Sequence, residues 1–475
     1  MSGSLRATSG LRPAGIAAFR APLALRHTRY VSTRSSLSGE SVAPLVTVTP
    51  TEVKKPAVSA HSVIPTGILL RSLLVTTVSS HPLLLGSSLS ILSFLTKSRS
   101  LLLDVERNPL IHWVLRKTFY DHFCAGEREA EVHKTIEQIK STGVKGVILT
   151  YTRETVQDSR TEQQRFANTK ALEKAASTDT CEHIEAWRED VLRTVDMLGP
   201  GDFLAPKLTG AGPKVTQAFA AGQPVPTQMV EALDEVCRRV VEKKARLLMD
   251  AEQHAFLQGI HSLTLDMMRK YNRGGEAVIY NTFQAYLKAA PELIASHLKL
   301  AHEEGFTLGL KLVRGAYMSS DPRHLIHDTK ENTDQAYDTI VRGILQQNYK
   351  GFGEKGRPFP ATDLFLATHN VESAVAAHNL HQTRVRDNLP TCKVEFGQLM
   401  GMADGVTYGL LQLRGQNRAP PAVYKCLHWG SLSECLSFLL RRAAENRDAV
   451  SRTMTEHEAL KAEVKRRIRA VFSRS

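Results

Sequence analysis

The sequence predicts an α/β fold, a TIM-like (β/α)8 barrel preceded by an N-terminal helical arm. From residue 143 onward, eight short β-rich apolar runs follow one another. Longer amphipathic stretches separate them, the pattern of βα units and a parallel sheet. Eight consecutive units suit a closed barrel better than an open doubly wound sheet. The runs are GVKGVILTY (143–151), DFLAPKL (202–208), ARLLMDAE (245–252), AVIYNTFQAY (277–286), TLGLKLVRGAY (307–317), DLFLATHN (363–370), CKVEFGQL (392–399) and AVYKCL (422–427). Helical spacing of apolar residues is clearest over 229–244, 254–271 and 291–305, the last closed by Gly305 as a C-cap.

The segments ahead of the barrel read differently. Residues 1–39 hold six arginines (Arg6, Arg12, Arg20, Arg26, Arg29, Arg34), many Ser, Ala and Thr, and no acid before Glu40. That is the composition of a mitochondrial transit peptide. It also accounts for much of the formal charge of +13, so a nucleic-acid partner is not expected. Residues 40–62 read as a linker. The most apolar stretch, Ile64 to Leu95, is interrupted by Arg71, His81 and Pro82. No clean run reaches the ~18 residues of a membrane span, so two packed helices are expected, the second able to lie on a bilayer surface. Residues 152–180 are polar and read as an exposed insertion, and 456–472 as a helix that covers a barrel face or bridges to a partner. The expected organisation is leader and linker 1–45, helical arm 46–140, barrel 141–450 and C-terminal helix 451–475.

In such a barrel the chemistry lies at the C-terminal strand ends. The polar residues there are Lys207, Asp250, Gln284, Lys311 with Arg314, His369 and Gln398. After the eighth run comes SFLLRRAAENRD, in which Arg441 and Arg442 can grip one small anion from two sides with Glu445 a turn further on. The Gly351-x-Gly-x-x-Gly356 fingerprint follows a helix and precedes none, so it reads as a loop and not as a phosphate-binding turn. The six cysteines show neither disulfide-scaffold density nor CxxC spacing, His302, His324 and His327 are scattered, and no metal site is expected. From these residues alone, a Schiff-base lyase using Lys207 or Lys311 as nucleophile stays open.

Several of these residues stand in motifs that resemble the proline dehydrogenase family, in particular its fungal mitochondrial members. The resemblance runs from about Leu69 to Asn446 and includes LLMDAEQ (247–253), FQAYLK (283–288), LKLVRGAYM (310–318), ATHN (367–370), EFGQLMGMADG (395–405) and LLRRAAEN (439–446). It implies a (β/α)8 barrel holding FAD noncovalently, oxidation of L-proline to 1-pyrroline-5-carboxylate, and electron transfer to ubiquinone. It further implies peripheral association with the matrix side of the mitochondrial inner membrane.

Residue by residue, the resemblance implies that Lys207, Arg441 and Arg442 hold the substrate carboxylate. Asp250 would organise the pocket floor, Leu399 would wall the proline ring, and Glu445 would stand close to the substrate. Gln284, Lys311, Val313, Gly315, Ala316, Tyr317, Thr368, His369 and Glu395 fall where the family contacts FAD. Cys426 departs from the pattern: many relatives carry Tyr at that offset before the clamp, and hydroxyproline-preferring members carry a small residue. The expected substrate is proline, with trans-4-hydroxy-L-proline as the alternative.

Overall fold

The computed structural model describes residues 60–97, 103–151, 180–413, 420–445 and 450–472. The expected leader (1–45) and residues 152–179 of the polar insertion lie outside the described residues.

Eight parallel strands close into a barrel in sequence order. They are β1 (Gly146–Tyr151), β2 (Phe203–Leu204), β3 (Arg246–Met249), β4 (Ile279–Gln284), β5 (Leu308–Val313), β6 (Thr362–Ala367), β7 (Lys393–Leu399) and β8 (Ala422–Trp429). Each lies within or beside one of the eight predicted runs. Closure is made by β1 on β8, paired from Gly146↔Tyr424 through Tyr151↔Trp429. The run 202–208 shrinks to a two-residue strand because Pro206 offers no N–H to a ladder and Lys207 leads into the 3-10 turn Leu208–Ala211. Asp202 anchors this short strand: its buried carboxylate accepts from the N–H of Val147 (3.0 Å) and Gly199 (3.0 Å) and from Lys140 Nζ (2.7 Å).

Strand periodicity sorts the side chains. Val147, Leu149, Leu247 and Met249 point outward into the core beneath the helices, whereas Ile148, Phe203, Leu248, Tyr280, Phe365 and Tyr424 fill the barrel interior. Gly397 stands among them, where a Cβ would come within 2.7 Å of the Phe365 ring. The surrounding helices bury one apolar stripe each. The helix Thr227–Glu242 packs Met229, Ala232, Leu233, Val236, Cys237 and Val240, the three- and four-residue spacing visible in the sequence, and each large side chain contributes about 1.5–3 kcal/mol of burial. Helix His254–Tyr271 matches its predicted range, and Gly305 closes helix Ala290–Glu304 with φ of 71°.

The arm contains the two expected helices, Thr66–Ser80 and Pro82–Lys97. Among the described residues no single helix is long and apolar enough to cross a membrane. Leu92, Leu115, Tyr120 and Cys124 from the arm form one cluster with Leu432, Cys435 and Leu436 of the helix Leu432–Glu445 that follows β8. Tyr120 fixes the join by donating its hydroxyl to Gly430 O at 2.7 Å. The C-terminal helix, Val450–Phe472, does not simply cover a barrel face. It packs along arm helix Thr66–Ser80, with Arg467 bonded to Ile64 O (2.7 Å) and Thr66 Oγ1 (2.9 Å), and Glu456 reaching His61 at 2.9 Å. The segment Gly351–Gly356 is a loop of turns and isolated bridges, as its context predicts.

Candidate active site

Inward-facing positions of β3 alternate as Arg246, Leu248 and, just past the strand end, Asp250. The two polar positions found different clusters at opposite ends of the barrel. At the C-terminal end, Lys207 Nζ donates to Asp250 Oδ2 at 2.6 Å and Lys311 Nζ donates to Oδ1. Burial alone would raise the Asp250 carboxyl, but the two ammonium groups outweigh it and hold the group well below the usual carboxylate range. Two cations share one anion, so these three side chains together sum to one positive charge at the C-terminal strand ends.

Leu399 and Cys426 are paired across β7 and β8 beside this cluster. The Leu399 N–H donates to His369 Nε2 at 3.2 Å, which places the His369 proton on Nδ1. Cys426 is partly buried, and burial with the neighbouring Asp250 charge pushes its thiol up to about 12. It is a neutral, compact wall residue and not a thiolate nucleophile.

The remaining strand-end residues line a rim. Gln284 is buried and donates Nε2 to Glu252 O at 3.1 Å; its amide oxygen has no protein donor among the described residues. Glu252 in turn binds Thr209 through N–H (3.2 Å) and hydroxyl. Arg314 is pinned on three sides, by Asp334 (2.6 Å), Thr368 Oγ1 (2.8 Å) and Ser373 Oγ (2.9 Å), with its guanidinium 4.3 Å from the Tyr337 centroid. Thr368 also takes a bond on its carbonyl from Gln398 Nε2 (3.2 Å). After Val313 the chain turns through Gly315, at φ of +135°, where a Cβ would stand 2.2 Å from the Tyr286 ring. That approach leaves Gly315 and Ala316 exposed while Tyr317 is buried.

Glu395 does not join this site. It is the third residue of β7, two inward positions below Leu399, and its carboxylate is held by Arg246 (Nη2 at 2.9 Å) and by the Tyr424 hydroxyl (3.0 Å). Arg246 lies 3.9 Å from the Phe203 centroid. Glu395 therefore belongs to a buried ion pair near the N-terminal strand ends, separated from the mouth by the aromatic layer. Sequence reading missed this because the EFGQL motif reaches the strand end at Leu399 while its first residue does not. Reading also missed Glu252, Thr209 and Tyr286, whose roles depend on contacts between strands that no local pattern encodes.

Arg441, Arg442 and Glu445 stand on the helix Leu432–Glu445 directly after β8. Their side chains lie outside the described residues.

A closed parallel barrel with a buried lysine–carboxylate cluster over its C-terminal strand ends is the architecture of a (β/α)8-barrel enzyme. Residues 132–455 match the family model for proline dehydrogenase. The chain is 31% identical over 398 residues to the probable mitochondrial proline dehydrogenase of Schizosaccharomyces pombe, covering 74% of this chain and 80% of that one. It is 29% identical to proline dehydrogenase 2, mitochondrial, of Arabidopsis thaliana, covering 86% and 89%. It is also 27% identical to a hydroxyproline dehydrogenase of Bos taurus, covering 85% and 90%. The fold resembles that of proline utilization A from Bdellovibrio bacteriovorus, with a TM-score of 0.55 and 16% identity over 79% of this chain and only 38% of that longer one. The chain belongs to the proline dehydrogenase family.

Proposed function

We propose that the protein is a mitochondrial, FAD-dependent dehydrogenase that oxidises L-proline to 1-pyrroline-5-carboxylate and passes the electrons to ubiquinone at the matrix face of the inner membrane. The observation that carries the reading is the Lys207–Asp250–Lys311 cluster, two ammonium groups held by one carboxylate at the strand ends where a small carboxylate substrate and a flavin would meet. Family membership supports the substrate, the mitochondrial names of the relatives support the compartment, and the leader composition agrees with it.

The strand-end residues suit a flavin. Lys311 offers a buried cation, Gln284 an amide oxygen that no described residue donates to, and the Gly315–Ala316 backbone an exposed edge. When bound, FAD would take up the hydride leaving the proline ring carbon next to nitrogen. The chain supplies position and charge. Arg441, Arg442 and Lys207 fix the carboxylate, so the ring has one orientation. Leu399 and Cys426 wall the ring and exclude water. Lys311 stabilises negative charge developing nearby, and Asp250 keeps both ammonium groups aimed. The substrate nitrogen must be unprotonated for its lone pair to assist C–H cleavage, and the ring leaves as the imine after losing its N–H proton.

Cys426 favours a second substrate within the same chemistry, since a small residue leaves room for a ring hydroxyl. Steady-state turnover of L-proline and trans-4-hydroxy-L-proline by wild type and Arg441→Ala tests both points. The expected result is a higher kcat/KM for proline and, in the variant, a proline KM raised at least tenfold with flavin still bound. An unchanged KM would mean that the carboxylate is held elsewhere.

A further inference from the structure

A second cavity, of 390 Å³, lies outside the barrel between the arm and the strand ends. Arm residues Arg71, Arg116 and His122 form one side, Glu131 and Lys134 of helix Glu129–Lys140 another, and Asp404 and Lys425 the third. It is separated from the active site by the loop after β7: Lys425 donates to Leu399 O (3.3 Å), Met402 O (3.0 Å) and Asp404 Oδ1 (2.6 Å) from the cavity side.

The charges in this cavity do not balance locally. Arg116 is matched by Glu131 at 2.6 Å and Asp121 at 3.7 Å, and Lys425 by Asp404. His122 donates Nε2 to Gly401 O at 2.9 Å, and burial pushes it down to about 4, so it is neutral at physiological pH. That leaves Arg71 and Lys134, neither of which has a carboxylate within ion-pair distance among the described residues. The Arg71 Nε is buried with no hydrogen-bond partner there, and a buried unmatched donor is costly enough to imply a missing acceptor.

Arg71 also stands on an apolar helix, Thr66–Ser80, of which it is the one charged residue. Leu74, one turn further along, is 49% exposed, and Leu70 beside it 52%. Helix Pro82–Lys97 exposes Leu83, Leu84, Ile91 and Phe94, and neither helix contains an acidic residue. An acceptor that is anionic and attached to something apolar satisfies both features at once.

We propose that this cavity binds a phosphate group through Arg71 and Lys134, and that the phosphate is the headgroup of an anionic phospholipid whose chains lie against the exposed face of the arm helices. The cavity then docks the enzyme on a membrane by a specific headgroup contact and not by surface charge alone. The source of the phosphate rests on the membrane location proposed above; the cavity's need for an anion does not.

The test is cosedimentation of the full-length, flavin-loaded protein with vesicles of phosphatidylcholine alone or with added phosphatidylglycerol, alongside thermal shift with inorganic phosphate. The variants are Arg71→Gln with Lys134→Gln, and Lys299→Gln as an exposed control of the same charge change per site. The expected result is that the double variant keeps its flavin and proline turnover but loses at least tenfold in affinity for the anionic vesicles, while the control binds as wild type does. Stabilisation by inorganic phosphate that needs Arg71, without preference for anionic vesicles, would overturn the lipid source and assign a soluble phosphate compound. Equal binding by the double variant and wild type in both assays, or equal loss in the control, would overturn the site itself. Proline turnover reports separately on the catalytic reading, so its failure and the failure of this site are distinguishable.

Discussion

Asp250 holds two ammonium groups in place from a single strand end, and most of the active-site electrostatics depend on it. Replacing it by Asn removes the carboxylate charge that Lys207 and Lys311 share in a partly buried space. We expect Asp250→Asn to lower stability at neutral pH by about 3 kcal/mol and to lower kcat/KM for proline at least tenfold. The pH dependence has a definite sign. The folded-state pKa of Asp250 is depressed, so its contribution is fully present above the unfolded value of about 4 and is lost as pH falls toward the folded one. The gap between denaturant titrations of wild type and variant should therefore begin to narrow below about pH 4 and keep closing as pH falls further; a constant gap would show that the carboxylate charge is not what stabilises. At this scale Lys207, Asp250 and Lys311 were legible, because strand alternation and the barrel rule point at strand-end polar residues. That both lysines share one carboxylate was not, since it depends on the spacing of β2, β3 and β5 around the closed barrel.

Among the elements, the turn after β5 and the interior of β7 carry the clearest expectations. Gly315 combines positive φ with a ring contact that leaves no space for a Cβ, so Gly315→Ala should cost about 1–3 kcal/mol and weaken flavin retention, read by melting temperature and by flavin-to-protein ratio. Retained flavin and an unchanged melting temperature would show that the turn is not strained as described. Glu395→Gln tests the reassignment of Glu395 to the ion pair with Arg246. A buried pair broken on one side costs about 3–5 kcal/mol, so the melting temperature should fall while the proline KM and flavin affinity stay close to wild type. Loss of flavin affinity without loss of stability would restore the cofactor role. The eight strands were legible at this scale because parallel strands buried on both faces read as short apolar runs. The true length of β2 depended on Pro206 and on the Asp202 anchor, which links three separate segments. The path of the C-terminal helix was open in the sequence because its periodicity shows an apolar face without naming what that face meets.

At the scale of the whole molecule, the arm and the barrel form one continuous device around β8. Cys124 and Ala125 pair alongside His428, the arm's apolar cluster seats the helix Leu432–Glu445, and the C-terminal helix braces the arm from outside. The helix that carries Arg441 and Arg442 is thus held by residues far from it in sequence, so under the proposed carboxylate clamp the arm would support substrate binding. The clamp itself was suggested by two adjacent arginines and its family motif, whereas its seat in the arm required the fold. The central claim, a flavin enzyme acting on proline, is tested most directly by the visible absorption spectrum of the purified protein before and after anaerobic L-proline. The account predicts flavin bands that bleach on addition of proline. A protein that stays colourless after incubation with FAD, or whose bands persist in excess proline, would contradict it.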